Sequence, residues 1–376
     1  MTAKAVLLFL CGDVMLGRGV DQILPHPSDP QLHEPVVRSA LEYVRLAEAA
    51  GGPIPRAVPL DYVWGEALSE LAGFRPAARI INLETSVTRS AAYLPKGINY
   101  RMSPKNIGVL SAAGIDCCVL ANNHVLDFGR GGLIETLDTL HRAGIKTAGA
   151  GRTLTEAEAP AILALPDGAG RVLVFAFGHC SSGIPGDWAA AAATSGVALL
   201  ADLSERTLVQ LAHGVKAARQ PGDLLIASLH WGGNWGYEIG RAERDFAHGL
   251  VDIGFAVVHG HSSHHPKAIE IYRDRLILYG CGDFLNDYEG ISGYEEFRGD
   301  LSLMYLPRLC QATGRLIELR LVPFKIGRFR LQRASSGETT WLRNRLGFVC
   351  QPFGVTIGPD GDGTLAVDCA QPRQAG

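Results

Sequence analysis

The chain has 376 residues, of which 47% are hydrophobic and 19% are charged, with a formal net charge of -3. This composition is typical of a folded protein with ample apolar core, and the length allows one large domain or two ordinary ones. Because basic residues are not in excess, we expect no nucleic-acid partner and no electrostatic attachment to a membrane.

The first apolar run, residues 5–11, is too short for a membrane-spanning helix and runs into a Gly-Asp turn, so it predicts a buried strand. No later run reaches the about 18 apolar residues that a span requires. The 8 cysteines include no C-x-x-C pair, which disfavours a zinc-thiolate site and a redox motif. We therefore expect reduced thiols and a cytoplasmic protein without a membrane span.

Further along the chain, apolar runs alternate with amphipathic stretches. The helical pattern is clear where Leu133, Leu137 and Leu140 form one face. Strands that are apolar throughout and separated by helices indicate a sheet covered on both faces. The predicted strands are 5–11, 78–83, 115–121, 171–178, 223–229 and 255–260, and the predicted helices are 103–114, 131–144, 204–220 and 241–254.

After residue 264 no helix interrupts the strands. Residues 268–280 predict a hairpin around Arg273 and Asp274. Further strands are predicted at 301–307 and 314–324.

These patterns predict an α/β fold with mixed sheets in a layered α/β/β/α body, in which an antiparallel sheet from the second half packs on the sheet of the first half. Residues 1–325 would form this domain, and residues 326–376 would be a C-terminal appendage packed on it. The loop 181–196 is typical either of a lid over a site or of a surface excursion.

Polar side chains follow five of the predicted strands at their carboxyl ends. Because the carboxyl ends of parallel strands share the edge where α/β proteins bind ligands, these side chains would converge on one site. Carboxylate, amide and imidazole ligands without thiolate suit Mn, Fe or Zn ions better than a structural zinc. The predicted metal ligands are Asp13, Glu84, Asn123, His230, His261 and His264.

Such a site would hold one or two divalent ions. A central carboxylate can bridge two ions about 3.5–4 Å apart, and the pair generates a hydroxide and clamps a phosphate-like transition state. His124 would act as the general acid for the leaving oxygen, and Asp127 would orient it.

Substrate contacts are predicted beside the metal ligands. Arg18, Arg101 and Lys267 would contact an anion, with a solvated surface position as the alternative. Trp231, together with Trp235 and Tyr237, would form an aromatic wall, with core packing as the equal alternative.

Each candidate ligand also has an ordinary structural explanation. An Asp after a strand is often a helix cap, Asn-Asn is a common turn pair, and His230 could belong to a packed aromatic turn. In the histidine-rich stretch at 259–268, His261 and His264 are the stronger candidates for metal binding than His259 and His265. The repeated placement at strand ends favours a shared site over coincidence.

Seven motifs occur in a specific order. They are GDVMLGR (12–18), NLET (82–85), LANNHVLDFG (120–129), GIPGDWAA (183–190), LHWGG (229–233), GHSSHHPKAIEIY (260–272) and LYGCGDF (278–284). As a set they resemble the CapA-type capsule and poly-γ-glutamate synthesis proteins, over about residues 8 to 325. The resemblance implies the calcineurin-like metallophosphoesterase fold, and with it the layered architecture.

The resemblance also implies roles for the upstream residues. Asp13 matches the first metal-binding aspartate of the wider superfamily, and Glu84 stands where a bridging aspartate usually lies. Asn123 and His124 match the Asn-His pair that supplies a metal ligand and the catalytic acid.

Downstream, the resemblance includes two departures. His230 matches the isolated histidine of the fourth motif, and His261 with His264 matches the closing Gly-His-x-His pair, widened by one residue. Met15 replaces a histidine ligand, which implies a single ion or a weaker second site. Asp283 replaces the usual Asn and adds a carboxylate, which we expect on the substrate-binding side.

Three functions remain open. The first is a metal-dependent hydrolase acting on a phosphoester or on a small-molecule, peptide or polyglutamate-like substrate. The second is a peptide epimerase of the kind found for lasso peptides, in which Asp13 and His264 would be base and acid on opposite faces of an α-carbon. The third is a non-enzymatic subunit of capsule assembly, for which the near-complete ligand set would have no purpose.

Overall fold

The computed structural model of the protein describes residues 4–168 and 170–368. The helices are α1 (Arg18–Ile23), α2 (Ala40–Gly51), α3 (Ala67–Phe74), α4 (Gly108–Ala112), α5 (Gly129–Arg142), α6 (Leu154–Glu158), α7 (Glu205–Ala218), α8 (Arg241–Ile253) and α9 (Ser336–Cys350). The strands are β1 (Ala5–Val14), β2 (Ala78–Leu83), β3 (Ser86–Val87), β4 (Arg101–Met102), β5 (Cys117–Val119), β6 (Lys146–Ala148), β7 (Ala150–Gly151), β8 (Ala161–Ala164), β9 (Arg171–Gly178), β10 (Gly196–Val197), β11 (Leu224–His230), β12 (Val257–His261), β13 (Ile269–Tyr272), β14 (Arg275–Leu278), β15 (Asp283–Leu285), β16 (Leu301–Cys310), β17 (Leu316–Gly327), β18 (Arg330–Arg333), β19 (Ile357–Pro359) and β20 (Leu365–Val367).

Two large mixed sheets form the centre of the fold. The ten-stranded sheet has the order β19-β20-β17-β16-β1-β2-β5-β6, with β15 paired to β1 and β18 paired to β17. The six-stranded sheet has the order β13-β14-β12-β11-β9-β8. All six predicted buried strands are present, and β2 and β9 have the predicted bounds.

The side chains of β1 show how the layers stack. Leu8 and Leu10 belong to the core that also contains Val172 and Ile226 of the six-stranded sheet. Residues on the other face of β1, such as Phe9, belong to the core that contains the buried residues of α2, α3 and α5. Helices α7, α8 and α9 contribute to the core of the six-stranded sheet. The predicted layered α/β/β/α architecture is therefore confirmed.

The assignment of one sheet to each half of the chain is wrong. Strand β16 of the second half pairs antiparallel with β1, whereas β11 and β12 belong to the six-stranded sheet with the hairpin β13–β14. A buried strand is apolar in either sheet, so the apolar pattern does not distinguish between the two. The hairpin itself is confirmed, and Arg273 and Asp274 form its turn with positive φ angles.

The predicted helix at 103–114 is wrong in its first half, where a 3-10 turn (Pro104–Asn106) precedes the short α4. The Asn106 side chain donates to Asp21 Oδ1 at 2.9 Å and to the carbonyl of His26 at 3.1 Å. Side-chain bonds of this kind compete with helical backbone geometry.

The C-terminal residues continue the same layers. Strands β18 and β20 both pair with β17, and α9 buries Leu342 and Leu346 in the core of the six-stranded sheet. Residues 369–376 of the expected appendage lie outside the described residues. The cysteines in the described part of the chain are all free. None of the helices described is long and apolar enough to cross a membrane.

Candidate metal centre

Both large sheets place polar residues at the same point. In the ten-stranded sheet, Asp13 of β1 lies opposite Asn82 on one side and Asp283 on the other. In the six-stranded sheet, His230 of β11 lies opposite His261 of β12. The carboxyl ends of parallel strands from two different sheets therefore meet, and the residues from 13 to 261 converge as the strand-end rule requires. Asp283 begins β15 and joins them because it pairs with Asp13.

Two groups of buried ligand-type side chains share Asp13. In each group, the candidate ligand atoms lie within 4.8 Å of one another. The first group is Asp13, His230 and His261, and the second is Asp13, His264 and Asp283.

A chain of hydrogen bonds fixes the protonation of His261. It begins at the carbonyl of Cys11, which can only accept, so His259 Nε2 must donate to it at 2.7 Å. His259 Nδ1 is then an acceptor and takes the hydroxyl proton of Ser228 at 3.1 Å. Ser228 Oγ in turn accepts from His261 Nε2 at 2.9 Å. A neutral His261 therefore carries its proton on Nε2 and presents a bare Nδ1 to the site.

His230 is fixed from the other side. Its Nε2 lies 3.0 Å from Asn123 Oδ1, an acceptor, so the proton is on Nε2 and Nδ1 is bare. The Nδ1 atoms of His230 and His261 are 2.8 Å apart. Two facing lone pairs at this distance repel each other, and a cation bound by both nitrogen atoms relieves the repulsion.

A divalent metal ion bound by both nitrogen atoms would relieve this repulsion, with these two atoms moving apart to about 3.3 Å for tetrahedral bonds of about 2.0 Å. Burial lowers the pKa of His230 and of His261 well below the usual histidine value, so both imidazoles resist protonation. Asp13 Oδ1 lies 3.8 Å from His261 Nδ1 and adds a carboxylate to the two imidazole nitrogens. Nitrogen and oxygen ligands in this combination suit Zn²⁺, Mn²⁺ or Fe.

The carboxyl groups of the site are crowded and buried. Burial, followed by the nearby charge of Asp283, raises the pKa of Asp13 to about 7. Burial and the charge of Asp13 raise the pKa of Glu84 well above its usual value. Asn82 Nδ2 donates to Asp13 Oδ1 at 2.7 Å. A divalent cation would relieve the repulsion among these carboxylates.

The second group extends the site towards solvent. His264 Nδ1 lies 2.9 Å from Asp283 Oδ1, and Asn286 Nδ2 donates to Asp283 Oδ2 at 2.8 Å. Burial lowers the pKa of His264, but the carboxylates of Asp283 and Asp13 together outweigh burial and the net pKa is raised. The structure thus brings Asp283, which we expected on the substrate side, into contact with two predicted metal ligands.

His124 lies at the edge of the centre with its predicted partner. Its Nδ1 donates to Asp127 Oδ2 at 2.6 Å, and its Nε2 lies 3.7 Å from Glu84 Oε1. Burial lowers the pKa of His124 to about 4. The imidazole is therefore neutral at neutral pH, with Nδ1 protonated and Nε2 facing the carboxylates.

Lys96, which the sequence reasoning missed, completes this arrangement. Its Nζ donates to Asp127 Oδ1 at 2.7 Å and also to the carbonyl of Asn123. It lies 5.1 Å from the ring centroid of Trp188, in the loop predicted to be a lid or an excursion. No strand ends directly before Lys96, so the pattern of polar residues at strand ends gives no signal for it.

The predicted anion contacts are already occupied. Arg18 is buried and bonds to Asp287 Oδ2 at 3.1 Å and to Glu34 Oε1 at 3.0 Å. Arg101 donates to the backbone carbonyls of Ser90 and Asp29. The structure does not direct these guanidinium groups at the metal centre.

The aromatic residues and histidines predicted near the site take different positions in the structure. Trp231 is buried in the core and donates from Nε1 to the carbonyl of Tyr279 at 3.1 Å, whereas Trp235 lines a cavity beside His264. Lys267 is buried. His265 packs against Tyr237, with ring centroids 4.4 Å apart, and is in neither metal group.

Comparison with known proteins identifies the family. The family model described as "Bacterial capsule synthesis protein PGA_cap" matches residues 7–288, which include all of the candidate ligands. The chain belongs to this family. The CapA-type resemblance of the motifs is thereby confirmed.

Relatives of the PGA_cap chain cover most of its length. A "Probable polyglutamine synthesis accessory protein" of Mycobacterium tuberculosis is 47% identical over 364 residues, 96% of each chain. The "PGA biosynthesis protein CapA" of Bacillus subtilis is 26% identical and covers 73% of this chain, which spans 62% of that protein. A 5'-nucleotidase precursor structure from Thermus thermophilus covers 93% of this chain and 59% of its own, with 11% identity and a TM-score of 0.45.

Proposed function

We propose that this PGA_cap protein is a metal-dependent hydrolase whose ions are held by Asp13, His230 and His261 and by Asp13, His264 and Asp283. The observation that carries the proposal is the pair of facing Nδ1 atoms of His230 and His261, 2.8 Å apart in a buried site. The names of the relatives point to the synthesis of polyglutamine or of PGA. A phosphoester or a peptide-like substrate is equally compatible with the metal ligands.

A bound divalent ion would supply Lewis-acid activation of a water molecule and of the substrate oxygen. The residues of the chain then divide the remaining tasks. Asp127 holds the Nδ1 proton of His124, which aims Nε2 at the site. Nε2 carries no proton at neutral pH, so it would first take the proton released by the attacking water and then pass that proton to the leaving oxygen. Asn123 and Ser228 keep the two ligand histidines in their metal-binding tautomers.

Metal content of purified protein tests this proposal directly. Wild type should hold about one or two Mn, Fe or Zn ions per chain by inductively coupled plasma mass spectrometry. His261→Ala should lose the ion of the first group, and Asp283→Ala should weaken the second. His248→Ala is the matched control, because His248 lies on helix α8, bonds to Glu270 of β13 and belongs to neither metal group, so this variant should keep the full metal content.

Activity should follow metal content. With a phosphoester panel and a peptide panel, His124→Ala should retain its metal and lose about 10²- to 10⁴-fold in turnover, the usual contribution of a general acid. Wild type that stays empty after Mn²⁺ and Zn²⁺ are supplied would instead fit a non-enzymatic role in capsule assembly.

The epimerase alternative meets a geometric difficulty. Ligand atoms of Asp13 and His264 lie within 4.8 Å of each other. A base and an acid on opposite faces of an α-carbon each need about 3–3.5 Å to that carbon, which requires a wider gap. Incorporation of deuterium from solvent into the α-position of a peptide substrate would reveal epimerisation despite this spacing.

A further inference from the structure

A cavity of about 670 Å³ opens directly beside the metal centre. His264 lines it, with Trp235 and Tyr288 each 5.3 Å away between ring centroids. The cavity is therefore continuous with the second group of candidate ligands through His264. A substrate bound there would have its reacting bond next to that group.

Apolar atoms contribute most of the wall surface of this aromatic cavity, although charged residues also line it. Trp235 and Tyr294 stack with ring centroids 4.1 Å apart and an interplanar angle of 3°. Ile98 and Ile291 also line the cavity and are 45% and 47% exposed, although large apolar residues are usually buried. Apolar side chains gathered around a concave site mark a binding surface for an apolar group.

The cations in the walls are already paired. Arg298 donates to both carboxylate oxygens of Asp300, at 2.7 and 2.8 Å, and Lys325 donates to Glu338 at 2.8 Å. Arg18 is held by buried carboxylates, as described above. A phosphate or a polyglutamate chain entering this cavity would lose its hydration without gaining a free cation among the described lining residues.

We propose that the aromatic cavity binds an apolar side chain of an uncharged peptide segment, so that the natural substrate is a peptide and not a phosphoester or a polyanion. A neutral polar group also lies in the cavity beside His264, where the exposed side-chain amide of Asn234 is placed to contact a peptide amide. This inference rests on the proposed function for the position of the reacting bond, but the cavity binds its side chain without it.

Isothermal titration calorimetry with short probes tests the preference. Acetyl-Ala-Phe-Ala amide should bind more tightly than acetyl-Ala-Glu-Ala amide, and inorganic phosphate should not compete with it. Trp235→Ala should weaken the Phe peptide by about tenfold, the usual effect of truncating a central aromatic contact. Phe348→Ala is the control, because Phe348 is 71% exposed on α9 and does not line the cavity.

The same titrations separate this inference from the metal proposal. His261→Ala should keep its preference for the Phe peptide even though it lacks the first metal ion. Tighter binding of the Glu peptide or of the phosphate would overturn the peptide assignment, whether or not metal is present. Equal binding by wild type and Trp235→Ala would also overturn it, and the metal content of Trp235→Ala should stay unchanged.

Discussion

Ser228 provides the sharpest test of the metal centre, because its hydroxyl touches no proposed ligand atom on the metal side. Ser228→Ala removes the link between His259 and His261, at 3.1 and 2.9 Å. The Nε2 proton of His261 then has no buried acceptor. In neutral His261 the proton can move to Nδ1, where it competes with the metal ion.

The expected magnitude follows from these contacts. Loss of a hydrogen-bond partner that orients a ligand histidine weakens metal affinity by about 10- to 100-fold. That range corresponds to about 1.4–2.7 kcal/mol of binding free energy. A buried donor left without a partner costs a similar amount, about 1–3 kcal/mol.

The assay is a competition titration of metal-free protein with Zn²⁺ or Mn²⁺ against a chelator of known affinity. Ser302→Ala is the matched control, because Ser302 is also a buried serine on a strand and its Oγ has no hydrogen-bond partner within the described residues. Ser302→Ala should bind metal as wild type does. A metal affinity of Ser228→Ala within about twofold of wild type is well below the effect expected for an orienting partner. Such a result would refute the role of the hydrogen-bond chain from His259 through Ser228 to His261.

Three further predictions concern the surroundings of the site. Lys96→Met should lower kcat by about tenfold with metal content unchanged, because Asp127 loses a bond that positions His124. Lys105→Met is the control and should have no effect. Equal kcat values for Lys96→Met and wild type would contradict this role of Lys96. Arg18→Met should lower the free energy of unfolding in urea by about 3–5 kcal/mol, because Asp287 stays buried without its cation; a loss below about 1 kcal/mol would contradict it. Apparent Mn²⁺ affinity, measured by calorimetry, should rise with pH up to about 7 and then level off, because burial raises the pKa of Asp13 to about 7 and its proton must leave on binding; a flat profile would contradict this.

The candidate ligands could be found from sequence because they follow one simple rule. A polar residue after an apolar run is visible without knowing which sheet the strand joins, so Asp13, His230 and His261 were found even though they come from two sheets. The part that Ser228 and His259 play in fixing the tautomer of His261 could not be predicted. Each lies inside a buried strand, and its hydrogen-bond partner is defined only once β11 and β12 pair.

The substrate side was harder to predict, because it depends on the direction of individual side chains. Trp231 and Trp235 have the same kind of neighbours in the sequence WGGNWG, so the sequence does not distinguish them. In the structure Trp231 packs in the core, whereas Trp235 lines the cavity. The chain turns between them at Gly232, with φ at 73°. Ion pairing is equally invisible in sequence, and it is the reason why Arg18 is not a free anion contact.

The position of β1 in the middle of the ten-stranded sheet has a consequence for biosynthesis. Strand β1 begins at Ala5, and its antiparallel neighbour β16 begins only at Leu301. At about 5 to 20 residues per second, a ribosome needs about 15 to 60 s to make the intervening chain. For that time one edge of an apolar strand has no partner, and Asp13 has no Asp283 beside it. The nascent chain thus exposes an unpaired edge of β1 until β16 has been made, and the second group of candidate ligands is complete only after Asp283 has been added.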